Sequence, residues 1–380
     1  MGTSKRVVLL GAGHAHLYAL KRAREFSRRG YELVVVAPDA FWYSGLATGV
    51  LGGNYGPEMD RVDVGALVAR GGGRFTKDKV VGVDVAFRTV HLEVSPPLSY
   101  DVLSITLGSC PPPIPAASEM VGCYSVKPIR RLCELRADLE TRFDRRPGGR
   151  VRVAVAGGGV TACEVAANVA ALAEARGGRA DVTVLAGSRL LKQLPDRAAR
   201  RVVGALEQRG VRFCSPARVA RVEPGCAVLE DGRAVAFDLF VNATGLRPSP
   251  LVREIALPVD DEGALLVDHS LRSIADPTVH GGGDCIALRD EKLARIGVYA
   301  IREAPVLYRN LLAALGSGEP TRFEPQSKFL WIMNLGDGTG LAVRGRLWWH
   351  GRLAFRLKDW IDRRFLREYQ QAAGITAPPE

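Results

Sequence analysis

Four apolar runs stand out along the chain: Val7–Leu10, Leu33–Val36, Val151–Ala156 and Val182–Leu185. Each is short and rich in valine, with at most one polar residue, the pattern of a strand buried on both faces of a parallel sheet. Leu17 and Leu20 follow the first run at helical spacing, and the second run arrives where a βαβ unit needs its next strand. Val151–Ala156 and Asp181–Leu185 bracket a second unit of the same kind. The predicted class is α/β, with two Rossmann-like dinucleotide-binding domains.

The link from strand to helix carries the chemistry. After Leu10 comes Gly11-Ala12-Gly13-His14-Ala15-His16. Glycine at Gly11 makes the tight turn, and at Gly13 it lets backbone approach a pyrophosphate, which then rests on the unpaired N–H groups of the helix start. The third glycine position holds His16, which widens the strand–helix contact and leaves open a donation from its ring to a phosphate oxygen. The next strand should end in an acid for the ribose hydroxyls. Here it ends Ala37-Pro38-Asp39, so either Asp39 or backbone groups fill that role.

The second turn is Gly157-Gly158-Gly159-Val160-Thr161-Ala162, with alanine as an accepted third residue and Glu164 in the opening helical turn. Glu164 is either an acid near the nicotinamide or a carboxylate favoured by the helix dipole. The partner strand ends Ala186-Gly187-Ser188-Arg189, again without an acid. Small residues followed by Ser188 and Arg189 would tolerate a 2′-phosphate, so NADPH is as good an expectation as NADH. Two dinucleotide sites in one chain suit a flavin and a nicotinamide passing a hydride between them. No residue is singled out as a general acid or base, and no metal site is expected.

After Gly316-Ser317-Gly318 the pattern changes. Leu353, Leu357, Ile361 and Phe365 recur at i+4 on a predicted helix starting at Leu353, widened by Trp360 and Leu366 and edged by Arg356, Lys358, Arg363, Arg364 and Arg367. Such a stripe either docks on the chain's own core or lies on an anionic membrane surface. The net charge of +11 keeps acidic partners in view, although arginine outnumbers lysine heavily, as base composition alone can cause. No nucleic-acid motif is present and no nucleic-acid partner is expected. The seven cysteines are scattered, with no CxxC pair, which argues against a zinc ribbon or a disulfide framework. No apolar run reaches the roughly 18–20 residues of a spanning helix. The expectation is a cytoplasmic protein, with a peripheral place on the inner face of the cell membrane and a homodimer left open.

Further segments carry a family resemblance. Tyr100–Ser109, YDVLSITLGS, resembles the YDxLxxATGS strand of two-dinucleotide flavoproteins, and Phe237–Gly245 resembles its second copy. Val279–Cys285 resembles their GDC motif. The chain is similar over nearly its whole length to the pyridine nucleotide–disulfide oxidoreductase superfamily, on the type II NADH dehydrogenase side. It is nearest to the branch associated with selenophosphate synthetase, through Tyr43-Ser44-Gly45, Val126–Ile129, Gly297–Leu307 and Leu357–Phe365. The resemblance implies FAD held by Gly11, Ala12, Gly13, His14, His16 and Asp39, by Val80 at the adenine, and by Thr106, Gly108, Gly283 and Asp284. Its ring would reach Gly45, Leu46, Tyr299 and Ala300. NAD(P)H would lie on Gly157, Gly159, Val160, Ala162, Glu164, Arg189, Thr244 and Gly245.

The implied division is an FAD-binding part over 1–110, an inserted NAD(P)-binding domain over 111–236, an FAD return over 237–317 and a small α+β subdomain over 318–380. No cysteine pair lies near Tyr43–Thr48, which excludes disulfide reduction, and no cysteine follows Cys285, which disfavours sulfide oxidation. What remains is hydride transfer from NAD(P)H to FAD and on to a quinone, with a small soluble redox partner or a flavin-bearing binding protein as alternatives. Val298, Arg302 and Glu303 stand where relatives carry quinone-site glutamines, which leaves the acceptor open.

Overall fold

The computed structural model describes residues 4–375. The apolar runs form the centres of two five-stranded parallel sheets. The first has the order Val279–Gly281, Val102–Ile105, Arg6–Leu10, Glu32–Ala37 and Arg74–Lys77. The second has the order Cys123–Ser125, Leu239–Asn242, Arg150–Ala156, Arg179–Leu185 and Arg212–Cys214. Val7 to Leu10 and Val182 to Leu185 are buried because both sheet faces are covered; in the second sheet helices pack on the face of Val153 and Val155, and an antiparallel meander on that of Ala154 and Phe240. In each sheet an edge strand, Arg74–Lys77 or Arg212–Cys214, is followed in the chain by a three-stranded antiparallel meander, Val80–Ser99 in one half and Val219–Ala236 in the other, before the chain re-enters the sheet. The two halves therefore repeat one plan.

The strand Leu239–Asn242, just past the expected boundary at 236, lies between Cys123–Ser125 and Arg150–Ala156 in the second sheet. A short antiparallel pair, Ser109–Cys110 with Arg247–Pro248, ties the outgoing and returning segments together.

Beyond the long helix Gly297–Leu315, closed by Gly316 at φ +103°, comes a three-stranded antiparallel sheet and the helix Arg352–Ala373. Met333, Leu335, Leu341 and Val343 of that sheet join the apolar core of the second unit. Leu366, Tyr369 and Ala373 of the helix join the core of the first. This subdomain thus packs on both units.

The helix docks on a face that overlaps only part of the stripe read from sequence. Ala354, Lys358, Asp362, Leu366, Tyr369 and Ala373 are buried and Phe365 packs against Tyr43, whereas Leu353 is 73% and Trp360 57% exposed. A buried lysine–aspartate pair takes the place of the apolar residues expected there.

Candidate active site

Both glycine turns fold the same way. Gly11, at φ +83°, donates its N–H to the Val36 carbonyl at 2.8 Å; Gly157, at φ +133°, donates to that of Leu185 at 2.8 Å. A Cβ on Gly11 would overlap the Thr106 carbonyl oxygen, and one on Gly157 that of Ala243. Only glycine satisfies both the left-handed backbone and the close approach. The helices His14–Lys21 and Val160–Ala175 begin at Gly13 and Gly159, and no side chain caps either. Their first-turn N–H groups are oriented for an anion.

His16 is fully buried, with both ring nitrogens bonded within the fold. Its Nδ1 lies 2.6 Å from the Gly11 carbonyl, which can only accept, so Nδ1 carries the proton and Nε2 accepts from the Ser104 hydroxyl at 2.8 Å. Burial lowers its pKa to about 4, so it stays neutral and holds the turn from behind. Ala162 is buried, as a close helix–sheet contact requires. Thr106 backs the first turn, its hydroxyl accepting from the Gly13 N–H at 3.3 Å. Asp39 accepts from the Ala40 N–H at 2.8 Å and the Trp42 indole at 3.2 Å, within its own loop. Val80 opens a meander strand, Leu46 is buried ahead of the helix Ala47–Leu51, and Gly108 has φ +68°.

A cleft of about 970 Å³ runs between the units. It brings together His14, Gly45, Gly157, Gly159, Val160, Glu164, Arg189, Thr244 and Gly245 of the residues expected at the cofactors. Gly283, Asp284, Tyr299 and Ala300 line a smaller pocket of about 60 Å³.

The polar groups of the site are held in place. Asp284 accepts from Lys127 Nζ at 2.7 Å and from the Ser109 hydroxyl at 2.6 Å. Burial alone would raise its pKa, but the Lys127 charge and these hydrogen bonds outweigh it and leave the carboxyl below its usual range. His14 lines the cleft with a buried, unpartnered Nε2, and burial with the nearby Lys127 lowers its pKa to about 4. Glu164 accepts from the Asn334 N–H at 2.7 Å. Burial drives its carboxyl up to about 7, against the pull of Lys358. Glu303, whose position was expected to bear on an acceptor, is turned inward and accepts from the Gly283 N–H at 2.6 Å. It fixes the turn that presents Asp284.

Lys358 is a site residue that sequence reasoning placed on the edge of a stripe. Its Nζ donates to the Gly45 carbonyl and to Asp362, each at 2.6 Å, and it lines the cleft. Asp362 also accepts from the Tyr43 hydroxyl at 2.8 Å. The signal available was the i,i+4 spacing of Lys358 and Asp362, which puts both on one helix face.

The comparisons agree with this geometry. The family model described as pyridine nucleotide-disulphide oxidoreductase matches residues 5–313. The chain belongs to that family. A probable ferredoxin reductase, CtmF of Castellaniella defragrans, is 28% identical over 94% of this chain and 89% of its own length. The demethylphylloquinone reductase NdbB of a Synechocystis strain is 23% identical over 90% of this chain and 88% of its own. The structure of NDH2 from Plasmodium falciparum in complex with NADH superposes with a TM-score of 0.80 at 15% identity, covering 98% of this chain and 97% of that one, a likeness of fold.

The chain is an NAD(P)H-dependent oxidoreductase, with FAD and NAD(P)H as its cofactors. The observed geometry fits two dinucleotides: two uncapped helix starts behind glycine turns, and an orphaned imidazole nitrogen facing the cleft. Among the described residues every cysteine is free.

Proposed function

We propose that this protein passes a hydride from NAD(P)H to FAD and the electrons on to a quinone at a membrane surface. The observation that carries the reading is the composition of the cleft. Its lining includes the second glycine turn with Thr244 and Gly245, and an apolar set of Val298, Ile301, Phe329, Trp331 and Ile332. The first set suits a dinucleotide and the second a flat hydrophobic acceptor.

FAD supplies the redox chemistry, accepting two electrons as hydride and releasing them onward. The chain's own residues position and balance charge. Gly11 and Gly13 with the start of His14–Lys21 would hold the FAD pyrophosphate, with Asp284, fixed by Lys127 and Ser109, toward the ribityl chain. Gly157, Gly159, Val160 and the start of Val160–Ala175 would hold the second pyrophosphate. Lys358, ion-paired with Asp362 and bonded to the Gly45 carbonyl, would fix the loop expected at the flavin ring, and Glu164 can hold a proton near neutrality. Alignment of the two rings supplies most of the rate, so no general base is required.

The membrane part of the reading rests on exposed apolar groups. Leu347 and Trp349 on one strand, and Leu353, Trp360 and Ile361 on the following helix, face outward. Exposed Arg346, Arg352, Arg356 and Arg364 flank them, with the Arg364 guanidinium 5.4 Å from the Trp360 ring centre. Apolar groups rimmed by cations suit an anionic bilayer surface. No helix among the described residues is long and apolar enough to cross one.

A second reading, electron delivery to a small iron–sulfur protein, is favoured by the net charge of +11 and the similarity to CtmF. The deciding experiment reduces the protein with NAD(P)H under anaerobic conditions and follows flavin reoxidation on adding a short-chain quinone or a ferredoxin. Fast reoxidation by quinone alone supports the first reading, and by ferredoxin alone the second.

A further inference from the structure

The two nucleotide turns can be aligned residue by residue through their shared hydrogen bond, since Gly11 donates to Val36 and Gly157 to Leu185. This register equates Ala37 with Ala186, Pro38 with Gly187, Asp39 with Ser188 and Ala40 with Arg189. The first copy keeps an acid at this corner; the second has Ser188 followed by Arg189.

The fold adds cations from elsewhere. Lys192 and Arg218 line the same cleft as Gly187, Ser188 and Arg189. Arg218 comes from the loop after Arg212–Cys214, and its side chain lies along Gly187: a Cβ there would sit 3.3 Å from Arg218 Cβ and 3.4 Å from Nε. The loop is pinned to the strand end by Ala186 N–H to Cys214 O at 2.9 Å and Ala217 N–H to Ala186 O at 2.7 Å. The Ser215 hydroxyl adds a bond to Ser188 O at 3.0 Å. On the other side, Leu191 N–H to Gly158 O at 2.7 Å fixes the segment between Arg189 and Lys192.

The acids nearby do not cancel this corner. Arg189 meets Asp196 at 2.9 Å and Arg218 meets Glu230 at 3.6 Å, in pairs whose side chains are all more than half exposed and so weakly bound. Neither acid lines the cleft, and Glu164, its one carboxylate among the described residues, stands by Asn334 and Lys358 instead.

We propose that Arg189, Lys192 and Arg218, with Ser188, form a phosphomonoester subsite that takes the 2′-phosphate of NADPH and makes NADPH the preferred donor. The proposal rests on the reading of the second turn as the nicotinamide site. A 2′-phosphate is a dianion that an acid at the strand end would repel and that arginine forks bind by charge-assisted hydrogen bonds.

The test is calorimetric titration of the FAD-loaded protein with 2′,5′-ADP and with 5′-AMP, which differ only in that phosphate. The expected result is that 2′,5′-ADP binds at least about tenfold more tightly, the scale of one or two hydrogen bonds to a charged group. Raising the salt concentration should narrow the gap, and R218A and R189A should each bring 2′,5′-ADP toward the affinity of 5′-AMP. Equal affinities in the unmodified protein, with 5′-AMP bound, would overturn the subsite and leave the dehydrogenase reading standing. A gap that survives in the R189A/R218A double variant would overturn the assignment to these residues. Binding of neither nucleotide would undo the nicotinamide site and the subsite with it.

Discussion

Lys358 donates to the Gly45 carbonyl at 2.6 Å, joining the C-terminal helix to the loop expected at the flavin ring. A segment that sequence reading treats as an appendage therefore forms part of the cleft floor. Lys358→Met would remove this bond and leave Asp362 buried without its cation. Breaking such a pair costs about 3–5 kcal/mol. Urea unfolding should show that loss, and K358M/D362L should recover part of it, because the stranded charge is gone.

Asp60 is fully buried, and neither carboxyl oxygen has a hydrogen-bond partner. Burial, reinforced by Asp362, raises its pKa from 3.8 to about 9 against the pull of Lys358. The folded protein thus keeps a proton that the unfolded chain releases above about pH 4. Its contribution makes stability fall as pH rises from about 4 to 9. Asp60→Asn removes that term. Denaturation at pH 6 and pH 8.5 should show a smaller drop in the variant, by more than about 1 kcal/mol. An identical drop would contradict the assignment.

Glu303 caps the Gly283 N–H from inside the fold. Glu303→Ala orphans a buried donor, a cost of about 1–3 kcal/mol. It also frees the turn that carries Asp284, so FAD should dissociate more readily on dilution. Glu303→Gln retains an acceptor and should hold FAD nearly as well as the parent. Flavin fluorescence released into solution reads both variants.

The paired glycines separate the two sites. Gly157→Ala would force a Cβ onto the Ala243 carbonyl in a left-handed backbone. It should give a yellow protein that nicotinamide reduces poorly. Gly11→Ala, with its Cβ against Thr106, should instead lose the flavin itself. Absorbance of the purified variants distinguishes the cases.

Replacing Leu353 and Trp360 by serine removes two of the most exposed apolar groups of the C-terminal subdomain. Sedimentation with anionic vesicles should fall, while flavin content stays the same. Unchanged sedimentation would argue against the membrane face.

Both sheets were legible because each βαβ unit is written contiguously, with its strands, glycine turn and helix in one short stretch. Features made by distant residues were not. The strand Leu239–Asn242 reads like a return to the first unit until its pairing with Arg150–Ala156 is seen. Lys127 lies far in sequence from the Asp284 it holds. Arg218 reaches its corner only through the loop pinned to Ala186. The C-terminal helix misled for another reason: periodicity weighs apolar residues, and a buried Lys358–Asp362 pair looks like a solvated edge. His16, a polar residue beside a phosphate turn, reads equally as a ligand or as part of the turn until its ring bonds to Gly11 and Ser104 are seen.

The central claim is that the second glycine turn holds a nicotinamide cofactor whose hydride reduces the flavin. Anaerobic mixing of the purified yellow protein with NADPH, and separately NADH, while following the flavin band, tests it most directly. The account predicts rapid bleaching, faster with NADPH at equal low concentration. A protein that keeps its yellow colour with both nucleotides would contradict it.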